Sequence, residues 1–313
     1  MERRIGRCRS DVIYDTILFI LLSLVFLVVA YPLYFVIISS VSDPIAVSNG
    51  EVTFYPIGFT LDGYREVFKT NTVVRGFLNS LLYTVCGVSV NLLVTLPTGY
   101  ALSRKDFALK KFVTFFYMLT MFIGGGMMPT YLIVKQTGLL NSMWALIIPG
   151  AMGVYNMIVA KTFFSTNIPL ELMEAAKLDG CGNTRFFFHI VLPLSGAITA
   201  ILVLYYGQGH WNSYFSALLY INDREKWPLQ LELRNILLLN TNTMTKEFIT
   251  EEMRKEQARR EALANMMKYS LIIISSIPML IVYPFVQKHF VKGVMIGSVT
   301  VSYTHLTLPT NSR

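Results

Sequence analysis

A polar segment, EAAKLDGCGNTRFFFHIVLP at residues 174–193, interrupts a chain that otherwise consists of long apolar runs. Its first half carries acidic and basic side chains beside two consecutive alanines, Ala175 and Ala176. Such charges suit polar contacts with another protein, and alanines on an exposed surface allow a second backbone to approach closely. Gly180 permits the positive φ that ends a helix. The segment therefore predicts a short docking helix with a turn behind it.

A helix is predicted on each side of this turn. Pro169 can start the first helix at its N1 position. Asn183 is the candidate N-cap of the second helix, which climbs back into the membrane until Pro193.

The residue types that catalyse reactions or hold cofactors are scattered in the sequence. There is no HExxH and no CxxC motif, and the four histidines lie too far apart to suggest a metal site. The chain also lacks the GxxxxGK(S/T) phosphate loop, so we do not expect it to hydrolyse ATP alone. No metal, cofactor or catalytic residue is predicted. A membrane-embedded hydrolase remains an open alternative, because serines are frequent in the apolar runs.

The composition indicates a membrane protein. Of the 313 residues, 53% are hydrophobic and only 15% are charged, which is too apolar for a soluble domain of this size. A net charge of +8 would suggest nucleic-acid binding in a soluble protein, but basic and aromatic residues form no interleaved stripe here. The lysines and arginines fall between the apolar runs instead. We interpret them as orientation signals and predict contact with lipid, not with nucleic acid.

Six windows of the sequence are apolar enough to span a membrane. Each has roughly 20 residues, the length that crosses about 30 Å of hydrocarbon, and contains no Asp, Glu, Lys or Arg. The first window has the length and bulky residues of a retained anchor rather than a cleaved signal peptide. The predicted fold class is all-α, a polytopic membrane protein with six transmembrane helices. The windows cover approximately residues 16–38, 76–96, 112–134, 143–160, 192–214 and 269–286.

The distribution of basic residues predicts the orientation. If the basic N-terminus is cytoplasmic, the even-numbered connections are cytosolic too, and they carry more bases than the short outer loops. We therefore expect both termini in the cytoplasm and the polar segment, between spans four and five, in the cytosol. The cytosolic bases of the connection between spans two and three are Arg104, Lys105, Lys110 and Lys111.

Two features inside the spans bear on transport. Carriers driven by protons or ions usually place Asp, Glu or Arg near the middle of the membrane, and these windows have none. The energy source is therefore expected to lie outside the chain. The run Gly124–Gly126, followed by Pro129, predicts an irregular bend near the outer end of span three. Such a bend serves either helix packing or substrate contact.

The polar segment also matches a known pattern. Glu174, Ala175 and Ala176 are followed after three residues by Gly180, and after nine more by Ile190, one residue, Leu192 and Pro193. This spacing resembles in full the EAA loop of ABC-importer permeases. The carbohydrate-uptake branch, in particular the six-span permease of the maltose and multiple-sugar type, is similar over residues 10–298. The stretches that carry this likeness are GLLNSMWALIIPGAMGVYNMIVAKTFF, WNSYFSALLYI and YPFVQKHFVKGVMIGSV.

The resemblance implies a transport subunit of the bacterial cytoplasmic membrane and not an enzyme. Its partners would be a second homologous permease, two cytosolic ABC ATPase subunits that hydrolyse the ATP, and an extracellular solute-binding protein. A coupling helix in the loop at about 164–191 would sit in a cleft of the ATPase, with Glu174 in polar contact, both alanines in close packing and Gly180 at the turn. The residues assigned to coupling are Glu174, Ala175, Ala176, Leu178, Asp179, Gly180, Ile190, Leu192 and Pro193.

The last residues depart from this resemblance. The family usually stops just after a segment like GVMIGSV, whereas this chain continues with TVSYTHLTLPTNSR. That tail looks like translated adaptor or vector sequence. We therefore predict one permease domain over residues 1–298, followed by a non-native or disordered tail at 299–313.

A sugar or oligosaccharide is the predicted solute. Neutral polar groups can hydrogen-bond sugar hydroxyls, and aromatic rings can stack on the apolar faces of sugar rings. Hydrogen bonds between spans explain such residues equally well. A permease for peptides, amino acids or phosphate stays open as an alternative, as does a membrane enzyme without a transport role. The candidates for the substrate path are Asn79, Ser80, Asn156, Gln208, Trp211 and Asn212.

Overall fold

The computed structural model describes residues 9–239 and 251–298 of the chain. Within these two ranges the backbone is helical and contains no β-strand, as the all-α prediction requires. The tail at 299–313 lies outside the described residues. The α-helices are α1 Arg9–Ser40, α2 Pro44–Ser48, α3 Asp62–Lys69, α4 Asn71–Ser103, α5 Lys110–Phe122, α6 Met127–Gln136, α7 Trp144–Ile147, α8 Val154–Asn167, α9 Leu170–Leu178, α10 Asn183–Phe186, α11 Leu192–Leu194, α12 Gly196–Trp211, α13 Phe215–Tyr220, α14 Leu229–Leu239 and α15 Glu251–Ser298.

Short helical turns of other types complete the path of the chain. Two 3₁₀ turns cover Ile148–Gly150 and Arg224–Lys226, and a π-helical turn covers Phe187–Val191 between α10 and α11. A π turn carries an extra residue compared with the α-helix and is most often seen as a single turn, as here.

The described residues contain three continuous helices that are long and apolar enough to cross a membrane, or up to six spans if each bent helix pair counts as one. The first, second and sixth predicted windows fall in the continuous helices. The other three windows fall in bent pairs, and in the fourth and fifth windows, where no bend was predicted, the prediction of single helices is wrong. The continuous stretches are Val12–Ser40, Asn71–Ser103 and Glu261–Gln287, and the pairs are Lys110–Phe122 with Met127–Gln136 at 114°, Trp144–Gly150 with Val154–Asn167 at 52°, and Asn183–Leu194 with Gly196–Trp211 at 79°.

The bend predicted at the three glycines of the third window is confirmed. Helix α5 ends at Phe122, and α6 begins at Met127 directly after Gly126. Gly126 has a φ of 82°, in the left-handed region that residues with a Cβ avoid. The backbone can therefore turn by 114° at this point because glycine supplies the conformation.

Contacts divide the chain into two compact units. Of the described residues, the first unit contains 9–74, 233–239 and 251–276. Here Asp43 caps α2, because its carboxylate accepts hydrogen bonds from the N–H groups of residues 45 and 46 at 3.0 and 3.1 Å. The rings of Phe35 and Tyr269 meet edge to face, 5.9 Å apart. From Val12 to Tyr34 no side chain of this apolar span is buried in the unit, as expected of a helix that lipid or another apolar protein surrounds, whereas Ile38, Ser39 and Ser40 at its end are buried.

The second unit contains residues 75–232 and, within the described part of the chain, 277–298. Its main core joins five helices, α4, α8, α9, α10 and α12, with the π turn at residues 187–191. Close approach of α4 and α8 depends on Gly99, because a Cβ there would lie 2.8 Å from the Cβ of Ala160. The buried members of this core are Leu96, Tyr100, Ala160, Phe164, Ala176, Phe186, Phe187, Val191, Ile198, Leu202 and Tyr206.

Three side chains at the start of α4 hold the backbone of segment 225–229. The Asn79 amide donates to the carbonyls of residues 225 and 227, at 2.8 and 3.1 Å, and the Tyr83 hydroxyl donates to the carbonyl of residue 226 at 2.9 Å. The Ser80 hydroxyl accepts the Leu229 N–H at 2.8 Å, and both groups are buried. The segment is thereby fixed to α4 although it has little regular structure of its own.

A buried carboxylate lies just beyond this segment. Glu232 is 1% exposed, and its two oxygens accept hydrogen bonds from the Arg224 guanidinium at 3.0 and 3.2 Å. These bonds and the charge of Glu232 raise the pKa of Arg224 above its ordinary value. The pair lies outside the candidate spans, so it does not conflict with the absence of acids from the predicted windows.

Replacing Ser80 tests whether this side chain is structural. Ser80→Ala leaves the buried Leu229 N–H without a partner, and we expect the free energy of unfolding to fall by about 1–3 kcal/mol. Ser89→Ala is the matched control in the same helix, because Ser89 is bonded only to the Val85 carbonyl on an exposed face. Reversible unfolding in mixed detergent micelles measures the free energy of unfolding of both variants. Equal stability of the two variants would contradict the structural role.

Candidate functional site: the coupling segment and its supports

Helix α9 forms the first half of the polar segment and has favourable residues at both ends. Pro169 was expected as the first helical residue, but it lies just before the helix with an extended ψ of 143°. Glu171 lies in the first turn and Lys177 in the last. Both charges have the sign that stabilises the helix dipole. The sequence therefore favours a helix here even though it is only nine residues long.

The end of α9 is a complete Schellman motif. The N–H of Cys181 donates to the Ala176 carbonyl at 2.8 Å, and the N–H of Gly180 donates to the Lys177 carbonyl at 3.0 Å. Gly180 has a φ of 73°, and a Cβ at this position would meet no atom within 4 Å. The requirement for glycine thus comes from the backbone conformation alone. The predicted helix end at Gly180 is confirmed.

The two alanines of the segment face opposite ways. Ala175 is exposed, but Ala176 is 7% exposed and belongs to the main core, so its expected place on the exposed surface is wrong. The physical reason is the period of 3.6 residues per turn, which turns consecutive side chains by about 100°. The exposed side and end of α9 carry Glu174, Ala175, Leu178, Asp179 and Gly180, with Leu178 90% exposed.

Aromatic rings hold this helix against the spans. Tyr100 of α4 lies at the centre, with its ring centroid 5.8 Å from that of Phe164 and 5.3 Å from that of Phe187. Phe186 is also beside Tyr100, at 6.4 Å. Aromatic pairs at these separations add favourable interaction beyond their buried area. Ala176 is buried in the same cluster, so α9 rests on side chains from α4, α8 and the residues that follow the turn.

A polar clamp joins the connection between α4 and α5 to the coupling segment. The Arg104 guanidinium donates to the Asp106 carboxylate, with Nε 2.7 Å from Oδ1, and also to the Asn183 side-chain oxygen at 2.8 Å. Lys177 of α9 lies 3.5 Å from the same Asp106 carboxylate. We call these four residues the clamp. Asn183, expected as the N-cap of the second helix, is instead its first residue after Gly182, because its side chain binds Arg104.

The clamp was not predicted from the sequence. Arg104 was interpreted only as an orientation signal, although an arginine two residues before an aspartate was a visible sign of a local pair. The guanidinium hydrogen bond, with Lys177 contributing, holds the pKa of Asp106 well below its ordinary value. Such a carboxylate stabilises the fold above its unfolded pKa and loses this effect only as the pH falls through the lowered value. The Asp106 carboxylate is therefore negatively charged near neutral pH.

The returning half of the segment leads into α12 through a sharp bend. Ile190 and Leu192 pack against the main core, whereas Pro193 is exposed in the short helix α11. Ser195 then interrupts the helix with a ψ of 18°, and α12 begins at Gly196. This half was predicted to be one helix that climbs back into the membrane until Pro193. It contains the π turn instead and meets α12 at 79°.

Three of the substrate-path candidates have structural partners. Asn79 and Ser80 bind the backbone of segment 225–229, as described above. Trp211 is 2% exposed, and its ring lies edge to face with Phe77 at 5.6 Å. The Trp211 ring is thus buried, and the polar groups of Asn79 and Ser80 are bonded to the backbone.

The other three candidates keep accessible polar groups. Gln208 and Asn212 are exposed at the end of α12, and Asn156 is half-buried near the start of α8. Within the described residues there is no group of three His, Cys, Asp or Glu side chains that could hold a metal ion. The substrate-path assignment and the absence of a metal both stay predictions.

A polar network near Gln208 and Asn212 was also not predicted from the sequence. The His210 ring nitrogen Nε2 lies 2.6 Å from the Asn91 side-chain oxygen, and the Asn91 amide donates to the Gly150 carbonyl at 2.6 Å. The network joins α4 and α12 to the break in the second bent pair, Trp144–Gly150 with Val154–Asn167. Asn91 thereby satisfies a carbonyl that the break leaves outside regular helix.

The turn at the end of α9 allows a matched test. Gly180→Ser forces a residue with a Cβ into the left-handed region, and we expect the free energy of unfolding to fall by about 1–2 kcal/mol. Gly182→Ser puts the same side chain two residues on, at an N-cap with a φ of −71°, where serine is favoured. Thermal unfolding of the purified variants measures the difference. A Gly182→Ser variant as unstable as Gly180→Ser would contradict this account.

Comparison with known proteins identifies relatives. No family model matches the chain. The polygalacturonan/rhamnogalacturonan transport system permease protein YtcP of Bacillus subtilis is 38% identical over 287 residues, covering 92% of this chain and 98% of the relative. Protein LplC of the same organism is 40% identical over 269 residues, covering 86% and 88%.

A solved structure agrees with these relatives. The crystal structure of a bacterial ABC transporter involved in the import of the acidic polysaccharide alginate contains a chain that matches with a TM-score of 0.82 and 28% identity, covering 91% of this chain and 99% of that one. The fold is thus that of an ABC permease, and the chain is a multi-pass membrane protein. The chain belongs to the family of permease subunits of ABC transporters that import sugars and oligosaccharides.

Proposed function

We propose that the chain forms six spans with both termini in the cytosol and is one of two homologous permeases of an ATP-driven importer. Two cytosolic ATPase subunits bind and hydrolyse the ATP, and an extracellular binding protein delivers the solute. Three continuous helices and three bent pairs supply enough apolar length for six spans. The basic residues of the connections support the orientation. We assign the permease domain to residues 1–298.

The proposed solute is an oligosaccharide released from a polysaccharide. The name of one relative refers to polygalacturonan and rhamnogalacturonan, and the solved structure concerns alginate import. These names favour a carbohydrate over the peptide, amino-acid and phosphate alternatives, and favour transport over a membrane enzyme. Within the chain, Asn156, Gln208 and Asn212 are the proposed contacts of the solute, since their polar groups remain accessible.

The observation that carries the proposal is the exposed face of α9. Leu178 is 90% exposed at the end of the helix, beside the exposed Glu174 and Ala175. An apolar side chain, a carboxylate and a small residue on one rigid surface suit a protein partner, because the leucine can enter a pocket while the alanine allows close approach. We assign this face to the ATPase. Ala176 does not touch the ATPase in this scheme but anchors the helix to the permease.

Movement passes from the ATPase to the spans through two routes. Ala176 and the rings around Tyr100 connect α9 with α4, α8 and α12. The clamp connects Lys177 and Asn183 with the end of α4 through Arg104 and Asp106. Because cores of this density move as packed bodies and do not deform continuously, displacement of α9 displaces these helices with it. Closure of the two ATPases would thus change which side of the membrane the substrate path faces.

Photo-crosslinking at the exposed leucine tests the assignment. A photoreactive phenylalanine in place of Leu178 is expected to crosslink to an ATPase subunit in cells that express the whole transporter. The same replacement of Leu132 in α6 is the matched control. That leucine is also exposed, at 51%, but it belongs to a candidate span and not to the coupling segment. Mass spectrometry identifies the crosslinked chain. An ATPase crosslink at residue 132 but not at 178, or labelling of Lys177 by an impermeant reagent from outside, would refute the assignment.

The clamp gives a second test of the mechanism. Asp106→Asn removes the charge that holds Arg104 and Lys177, and we expect the sugar transported per ATP hydrolysed to fall roughly fivefold, equivalent to about 1 kcal/mol of coupling. Insertion and ATPase binding should persist. Lys105→Gln, an exposed charge change in the same connection but outside the clamp, should leave the ratio unchanged. Uptake and hydrolysis in the same proteoliposomes measure it, and an unchanged ratio in Asp106→Asn would exclude the clamp from coupling.

A further inference from the structure

A cavity of about 440 Å³ opens beside the first turns of α5. Three lysines line it: Lys110 and Lys111 at the start of α5, and Lys161 in the middle of α8. Thr114, Phe115 and Met118 of α5 form part of its wall. We call this space the lysine cavity. None of the functions assigned above uses it.

The charges of the lysine cavity are not balanced within it. None of the described residues that line it carries a carboxylate. Lys161 is half-buried and donates to the Thr114 hydroxyl at 3.3 Å, and Lys110 donates to the Arg104 carbonyl at 3.2 Å, so both bind neutral oxygens. The nearby acid, Asp106, is already bound by Arg104 and Lys177. Three ammonium groups around one cavity repel one another, and an anion between them would relieve this repulsion.

One face of α5 combines this charge with apolar surface. Lys111, Thr114, Phe115 and Met118 follow the i, i+3, i+4, i+7 spacing, so they share a face of the helix. Phe115 is 60% exposed and Met118 is 42% exposed, and both line the lysine cavity. A small inorganic anion or a hydrophilic sugar acid would leave these two apolar side chains uncovered. An amphiphile with a charged end at the lysines and an apolar end along Phe115 and Met118 would cover them.

The dimensions agree with a lipid. Seven residues separate Lys111 from Met118, which is about 10 Å along a helix. The polar layer on each side of a bilayer is roughly 5–7 Å thick outside the hydrocarbon. A helix that enters the membrane at Lys110 therefore places its lysines among the headgroups and Met118 in the hydrocarbon. The start of α5 also presents the partial positive charge of a helix N-terminus on this side.

We propose that the lysine cavity binds one anionic phospholipid, with the phosphate between the three lysines and the first acyl segment along Phe115 and Met118. Lys161 supplies specificity for the anion, because it is half-buried and is the one lysine lining the cavity that α8, and not α5, contributes. Binding of this lipid requires neither ATP nor a sugar. It also holds for either orientation of the chain, since it depends only on α5 entering the bilayer at this point.

Native mass spectrometry of the purified full-length chain tests the proposal. The chain is titrated with phosphatidylglycerol or with phosphatidylcholine of the same acyl chains, and the bound lipid is counted. We expect preferential binding of one phosphatidylglycerol, and about fivefold weaker binding in Lys161→Gln and in Lys111→Gln, because each lysine near a lipid headgroup contributes on that scale. Lys161→Arg keeps the charge and should keep the lipid. Lys135→Gln, an exposed lysine of α6, is the matched control and should bind as the parent does.

Several outcomes would overturn the proposal. Equal binding of the two lipids would show that the charge of the headgroup is not recognised. A loss of lipid binding in Lys135→Gln as large as in Lys161→Gln would show a general effect of surface charge. Displacement of the lipid by inorganic phosphate at equal concentration would reduce the cavity to a simple anion site. Binding of a galacturonate oligomer that is lost in Lys161→Gln would assign the cavity to the solute. If Lys161→Gln fails to insert, the exposed Lys111 variant decides. The assay measures lipid binding to the purified chain alone, so its result does not depend on whether the transport proposal is correct.

Discussion

The burial of Ala176 among the rings around Tyr100 is the contact on which the coupling segment depends. Its methyl group is small enough for α9 to lie close to the spans, and the aromatic side chains of three different parts of the chain enclose it. Because one side of the helix is fixed in this way, the opposite side can stay exposed in a defined orientation. The Schellman turn at Gly180 and the clamp then fix the ends of the same short helix.

Much of the fold follows from local patterns. Long apolar runs without charges predict the helices over the first, second and sixth windows, and the three glycines at 124–126 predict the bend that the structure contains. The breaks in the fourth and fifth windows could not be predicted in the same way. Proline and glycine are tolerated inside membrane helices wherever neighbouring groups satisfy the backbone, so their presence does not decide whether a helix stops. That outcome depends on distant partners such as Asn91.

The candidate site was predictable to the extent that it is local. Gly180 ends a helix because of its own backbone freedom, and the spacing after it was visible in the sequence. Which alanine faces the core depends on where α9 meets the aromatic rings, and this is a tertiary property. The same holds for Asn79 and Ser80, whose partners lie about 150 residues away in the chain. Polar side chains in spans look alike in sequence whether they bind a solute or a backbone.

The bend before α12 determines what kind of motion the coupling segment can produce. The arm Asn183–Leu194 meets α12 at 79°, so a shift along the arm has only about one fifth of its length as a component along the α12 axis. Nearly all of the displacement is sideways. A push along the arm would therefore move the start of α12 mainly across the helix axis, and it would change the direction of α12 more than the position of Gln208 and Asn212 along that axis.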